Sequence, residues 1–230
     1  PARKVVLLVD SLEKLRGSGE RAREMYESIR ATFDGNAANL RFNTLHVVYS
    51  VPPFLPILAA GVANAYGGGL CGLPQVKVFQ TPDGVNRGRQ PNQRGLDQLL
   101  DVVERRFPEW EKVFSAAQLN RLAMNSGGNL RIYFALIRRV LVKAARVPLS
   151  LAGDTLLEYA ENDMRAEMPL SDEDRTWLRR IAETHGMGLD REDNVVTLAR
   201  LFDGHLVLDY RNGKPWYDVL PLLHPLLGGR

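Results

Sequence analysis

One cysteine, Cys71, stands in 230 residues, so no intrachain disulfide can form and a reducing, cytoplasmic setting is the expectation. Histidine is as sparse: His46, His185, His205 and His224 have no metal-ligand spacing, which argues against a zinc centre. No apolar run approaches the ~20 residues of a membrane-spanning helix. Pro1-Ala2-Arg3-Lys4 leads into a strand pattern rather than a signal sequence, so no membrane partner is expected. Internal repeats and low-complexity segments are missing. So is any Gly-x-x-x-x-Gly-Lys-Ser/Thr phosphate loop, the backbone cradle that supplies most of the grip on a nucleotide triphosphate.

What is present is an ordinary globular composition, 45% hydrophobic and 25% charged, long enough for one large or two modest domains. The net charge of +3 conceals an uneven distribution. Residues 112–150 carry seven Lys and Arg and no acid, whereas residues 151–170 carry five acids and one base. A partner of opposite sign is therefore expected in the middle of the chain rather than at its carboxyl end.

Lys4-Val5-Val6-Leu7-Leu8-Val9-Asp10 reads as a strand buried on both faces that delivers a carboxylate where the sheet stops. Ligands of open α/β sheets bind at that end, and a lone carboxylate there suits a hydrated Mg²⁺ beside a nucleotide phosphate. Next come Gly17-Ser18-Gly19 and a helical stripe of Ala22, Met25, Tyr26, Ile29 and Phe33, with Ser18 or Gly19 as its cap. A second buried strand, Leu45 to Val51, is stopped by Pro52-Pro53 and contains His46 as a packed residue. Leu55 to Tyr66 reads as helix despite Pro56, and Val76 to Phe79 as a third strand. Alternation of strands and helices argues for a parallel sheet with crossover helices over residues 1–95.

From Leu96 the period becomes helical. One stripe holds Leu96, Leu99, Leu100, Val103 and Phe107, the next Leu119, Leu122 and Ala123, the last Leu130, Phe134, Ile137 and Leu141. These form a helical subdomain over 96–150. In 151–230, the acidic stretch Asp154 to Glu167 is a helical connector, and Ser171 caps a helix that buries Trp177, Leu178 and Ile181. A short helix follows over about Val195 to Phe202. Two strands, Leu206 to Tyr210 and Trp216 to Val219, flank Asn212-Gly213, a hairpin signal. Helices followed by a terminal hairpin suggest a winged helix.

Three features belong together: the strand ending in Asp10 with Glu13 nearby, the neighbouring strand ending in Ser50, and Ser126-Gly127-Gly128-Asn129-Leu130-Arg131 opening a helix. Over essentially its whole length the chain resembles the carboxyl half of an AAA+/STAND-type P-loop ATPase whose helical lid is followed by a winged helix. The resemblance implies a partial parallel P-loop NTPase sheet, with ATP and Mg²⁺ as cofactors. In it Asp10 corresponds to the Walker B aspartate that supports Mg²⁺, Ser50 to the sensor 1 residue, and Arg131 to the sensor 2 arginine reaching from lid to phosphate. Gly127-Gly128 would let the lid helix start close to the nucleotide.

Two departures follow. Ser11 stands where the family places its catalytic glutamate, leaving Glu13 as the candidate for activating water. The missing phosphate loop implies the carboxyl-terminal part of a longer protein, unable on its own to hold ATP tightly or hydrolyse it. A protein partner or self-association is then the expected readout.

Other residues have two readings. Arg105-Arg106 is a solvated helix end or an arginine finger, and Arg138, Arg139, Lys143 and Arg146 are a solvated surface or a basic face for nucleic acid or a nucleotide. The region 189–194 is acidic on balance, which sets phosphate against it and favours a protein-contacting role for the winged helix. Arg211 and Lys214 at the wing tip keep the alternative open: a non-catalytic DNA-binding or regulatory module on a degenerate ATPase scaffold.

Overall fold

The computed structural model describes residues 5–12, 21–42, 44–59, 61–67, 70–82, 89–145, 153–188, 195–212 and 214–228. It is a mixed α/β chain dominated by helix, with one parallel and one antiparallel strand pair. Among the described residues no helix is long and apolar enough to cross a membrane. The chain divides into two compact units, Pro1–Leu73 with Met187–His205, and Pro74–Gly186 with Leu206–Arg230.

In the first unit β1 (Val6–Val9) pairs in parallel with β2 (His46–Tyr49), setting Val6 opposite His46 and Val9 opposite Tyr49. Between them run α1 (Ala22–Arg30), a π-helical turn (Ala31–Gly35) and a 3₁₀ turn (Ala37–Leu40). The helical stripe holds, with Ala22, Tyr26, Ile29 and Phe33 buried. Met25 instead lies 41% exposed. Ser18 and Gly19 lie outside the described residues. The expected long helix is divided into α2 (Leu55–Leu58), which carries Pro56 in its first turn where no N–H donor is needed, and α3 (Val62–Ala65), the backbone leaving helical geometry at Ala59 with φ of −132°. A further helix, α9 (Val195–Asp203), packs on α1, where the Tyr26 hydroxyl donates to Asp203 Oδ2 at 3.1 Å.

The expectation that both strands are buried on both faces fails. Val6 is 53% exposed, Leu8 70% and Val48 55%, and His46 is exposed with them rather than packed. Register and the two-residue period place these four on one face, which no described helix covers. The opposite face has cover on β2: Tyr49 meets Phe33 and Tyr66 edge-on, each at 6.1 Å between ring centroids, and donates its hydroxyl to Leu40 O at 2.9 Å. The third expected strand does not join this sheet. Its segment belongs to the second unit, where Gln75 N–H donates to Asp209 O, Val76 N–H to Gly128 O, and Phe79 bridges Pro91.

In the second unit α4 (Gln93–Arg106), α5 (Ala116–Asn125), α6 (Leu130–Ala144) and α7 (Asp154–Ala166) pack each on the next along the chain or nearly so, α5 touching both α6 and α7. Local chemistry fixes their starts. Asn92 accepts from Gly95 N–H, Asn129 from Ile132 N–H, and Ser115 forms a capping box with Gln118. The buried face of α6 is Ile132, Tyr133, Leu136, Ile137 and Val140, not the stripe through Leu130, Phe134 and Leu141: Leu130 is 43% exposed. Ser171 caps α8 (Asp172–Thr184) as expected, with Asp174 closing the box. Helix α8 packs on β4 (Lys214–Val219), which pairs antiparallel with β3 (Val207–Asn212). The hairpin register joins Arg211 to Pro215 and Asn212 to Lys214, so Asn212 is a ladder residue rather than half of a two-residue turn.

Candidate functional site

Parallel pairing brings two expected site residues to the same sheet end. Ser50, the residue after β2, donates its N–H to Val9 O at 3.0 Å, extending the ladder to the last residue of β1. The Ser50 hydroxyl oxygen accepts from Leu12 N–H at 3.3 Å. That bond folds the chain back just after Asp10, where Ser11 takes a left-handed backbone with φ of 71°. A non-glycine residue held there is strained by about 1 kcal/mol or more. Asp10 itself is exposed, and Ser50 is half-buried. Glu13 lies outside the described residues.

The other expected residues gather at the α5–α6 turn of the second unit. Gly127 has φ of +59° and Gly128 φ of +80°, and both are buried. Their close approach is to the protein's own chain. A Cβ on Gly128 would stand 1.8 Å from Val76 O, and one on Gly127 2.2 Å from Leu208 Cδ1. The Tyr210 hydroxyl donates to Gly127 O, and burial raises its pKa. Ser126 Oγ donates to Ala123 O at 2.7 Å and accepts from Gly128 N–H at 3.2 Å. Arg131 extends from the first turn of α6, exposed, and among the described residues it has no hydrogen-bond or ion-pair partner. A cation at that end of a helix is set against the positive end of the macrodipole, so it adds nothing to helix stability.

The basic middle of the chain is answered in part from within. Helix α7 and the residue capping its end supply the acids: Glu161 takes Arg121, Asp163 takes Lys143 at 2.7 Å, and Glu167 takes Arg139. Part of the charge counted in residues 112–150 is thus paired within the chain, and Arg131 and Arg138 are not among the residues so paired. Arg105 is likewise closed by Asp101 at 3.0 Å, and Arg146 is outside the described residues.

Two buried clusters escaped the sequence reading. Glu161, 5% exposed, accepts from Arg121 Nε at 3.0 Å, Arg121 Nη2 at 2.8 Å and Asn125 Nδ2 at 2.7 Å. Asp218, 1% exposed, accepts from Arg89 Nε at 2.9 Å, Arg89 Nη2 at 2.6 Å and its neighbour Val219 N–H at 2.8 Å. His185 and His224 stand beside it. Burial, then Arg89, push His224 down to about 4, with Asp218 opposing. The available signal was periodic: Glu161 falls on the stripe of Leu157, Ala160 and Met164, and Asp218 shares a strand face with Trp216. Both acids have their hydrogen-bonding capacity largely filled, which makes them anchors rather than reagents.

Among the described residues no three His, Cys, Asp or Glu side chains gather to hold a metal ion. At the end of β1 the one carboxylate among the described residues is the exposed Asp10, and Mg²⁺, which keeps most of its waters, would ask for no more than one or two. Comparison with protein-family models, curated proteins and solved structures returns no match for this chain.

Proposed function

We propose that this chain is the carboxyl-terminal part of an ATP-binding and ATP-hydrolysing switch protein of the AAA+/STAND kind, its phosphate loop contributed from outside these residues. The observation that carries the reading is the junction of β1 and β2. Parallel neighbours end on Asp10 and Ser50, and the Ser50 hydroxyl ties down the loop that follows Asp10. Such a junction is where open α/β sheets bind ligands. Asp10 would hold Mg²⁺, which supplies charge neutralisation at the phosphates, while Ser50 and Glu13 orient the attacking water. For Arg131, in the second unit and with no partner of its own among the described residues, the sensor 2 role is carried by the resemblance alone. The bare apolar face of Val6, Leu8 and Val48 supports the reading, because parallel sheets are covered on both faces in a complete domain. Nucleotide state would then be passed to the lid and the carboxyl-terminal winged helix, and on to a protein partner.

A second reading, a non-catalytic winged-helix module contacting DNA, draws on the packing of α8 against β4 and on exposed Arg211 near the hairpin turn. ATP hydrolysis by the intact protein separates the two. Arg131→Ala lowers turnover by about tenfold or more, the scale of one lost charge-assisted contact, whereas Arg138→Ala leaves it unchanged. Equal effects of the two changes would remove Arg131 from the site, and salt-dependent duplex binding lost with Arg211 and Lys214 would favour the second reading.

A further inference from the structure

Helix α6 has an exposed side that internal pairing leaves uncompensated. Arg131, Phe134 and Arg138 lie along it, since residues three, four and seven apart share a helix face. The two arginines are separated by about 10 Å along the axis. From the end of α4 the guanidinium of Arg106 reaches over the Phe134 ring, 5.1 Å from its centroid. Arg106, Arg131 and Arg138 are all exposed, and among the described residues none has a hydrogen-bond or ion-pair partner. Their neighbours Arg105, Arg139 and Lys143 are each closed by a carboxylate. The contrast within one surface is the informative point: α7 neutralises one side of α6, and the other side keeps its charge.

Arg106 gains a modest cation–π contact on Phe134, but Arg131 and Arg138 bring like charge to the same face with no carboxylate among the described residues to answer it, and the three together complement a polyanion. Arginine forks onto phosphate oxygens, and its planar head also stacks on bases. A guanidinium backed by an aromatic ring offers that plane with little freedom left to lose. We infer that this face binds single-stranded nucleic acid: Arg131 and Arg138 take two backbone phosphates, and Arg106 on Phe134 supplies a stacking platform for a base between them. An acidic protein segment would use the charge and leave the ring-backed plane idle.

The test is fluorescence anisotropy of the full chain with a labelled oligothymidylate of about 15 nucleotides, followed against salt. Two phosphate contacts give a slope of log affinity against log salt of about −1.4, and Arg138→Ala reduces it to about −0.7. Arg106→Lys keeps the slope but weakens binding about tenfold, because charge remains while the stacking plane is lost. Binding by Arg106→Ala and Arg138→Ala equal to that of the unaltered chain overturns the inference. So does competition by polyglutamate as strong as by unlabelled oligonucleotide, which would assign the face to an acidic protein. Arg131 figures in both readings, so the test rests on Arg106 and Arg138, which have no part in the proposed ATP site, and its outcome is distinguishable from a failure of that reading.

Discussion

Replacing Gly128 by alanine should nearly unfold the second unit. Its φ of +80° already disfavours any side chain, by about 1–2 kcal/mol. The added Cβ would lie 1.8 Å from the Val76 carbonyl oxygen and 2.7 Å from the carbon behind it. Both are backbone atoms, so the strain cannot be relieved by turning a side chain. Separating the two chains breaks the Val76 N–H to Gly128 O bond, worth about 1 kcal/mol, and overpacking adds about 1–3 kcal/mol more. The sum, about 3–6 kcal/mol, is a large share of the ~5–15 kcal/mol that holds a typical domain. Gly127→Ala meets a movable Leu208 methyl at 2.2 Å and should be the milder change of the two. All three tryptophans, Trp110, Trp177 and Trp216, lie in this unit, so urea unfolding followed by tryptophan emission reads the effect directly. A loss below about 1 kcal/mol for Gly128→Ala would show that the turn does not need its glycine for packing.

Two further predictions concern the buried clusters. Glu161→Ala strips Arg121 and Asn125 of their shared acceptor and should destabilise by about 2–3 kcal/mol in the same assay, Arg121 being partly open to water. A change within about 0.5 kcal/mol would reduce the contact to a solvated surface pair. His224 is held near a pKa of about 4, below its ordinary 6.5, so the unfolded chain takes up the proton first as pH falls through that window. Stability therefore drops on acidification, by about 1–2 kcal/mol after allowance for partial exposure. His224→Gln should flatten that slope. Asp209, raised by burial and eased by Arg211, works in the opposite sense, so the comparison is between variant and parent at each pH; identical profiles would refute the assignment.

Helix was legible wherever the sequence spelled out both a period and an end. Ser171 with Asp174 marks the start of α8, and Leu96, Leu99 and Val103 the buried line of α4. Strand burial was not legible, because five apolar residues in a row record what a strand is able to bury and not which elements pack on it. Val76 to Phe79 has strand composition, but its partners are carbonyls of Asp209 and Gly128, distant in sequence, and no local pattern announces them. The hairpin was read from Asn212-Gly213, yet the register is centred on position 213, since pairing across the whole ladder outweighs one dipeptide. Of the candidate site, the adjacency of the Asp10 and Ser50 strand ends was readable from strand order and terminal residues. The Ser11 strain and the Leu12 N–H capture were not, because they arise only once the two strands are paired.

If the paired strand ends are the Mg²⁺ and triphosphate end of an ATP site, as proposed, titration of ATP into the intact protein with and without Mg²⁺ will register it. The account predicts that Mg²⁺ tightens binding by about tenfold or more, and that Asp10→Asn abolishes the difference while leaving metal-free binding in place. Mg²⁺-dependent affinity unchanged by Asp10→Asn would contradict it.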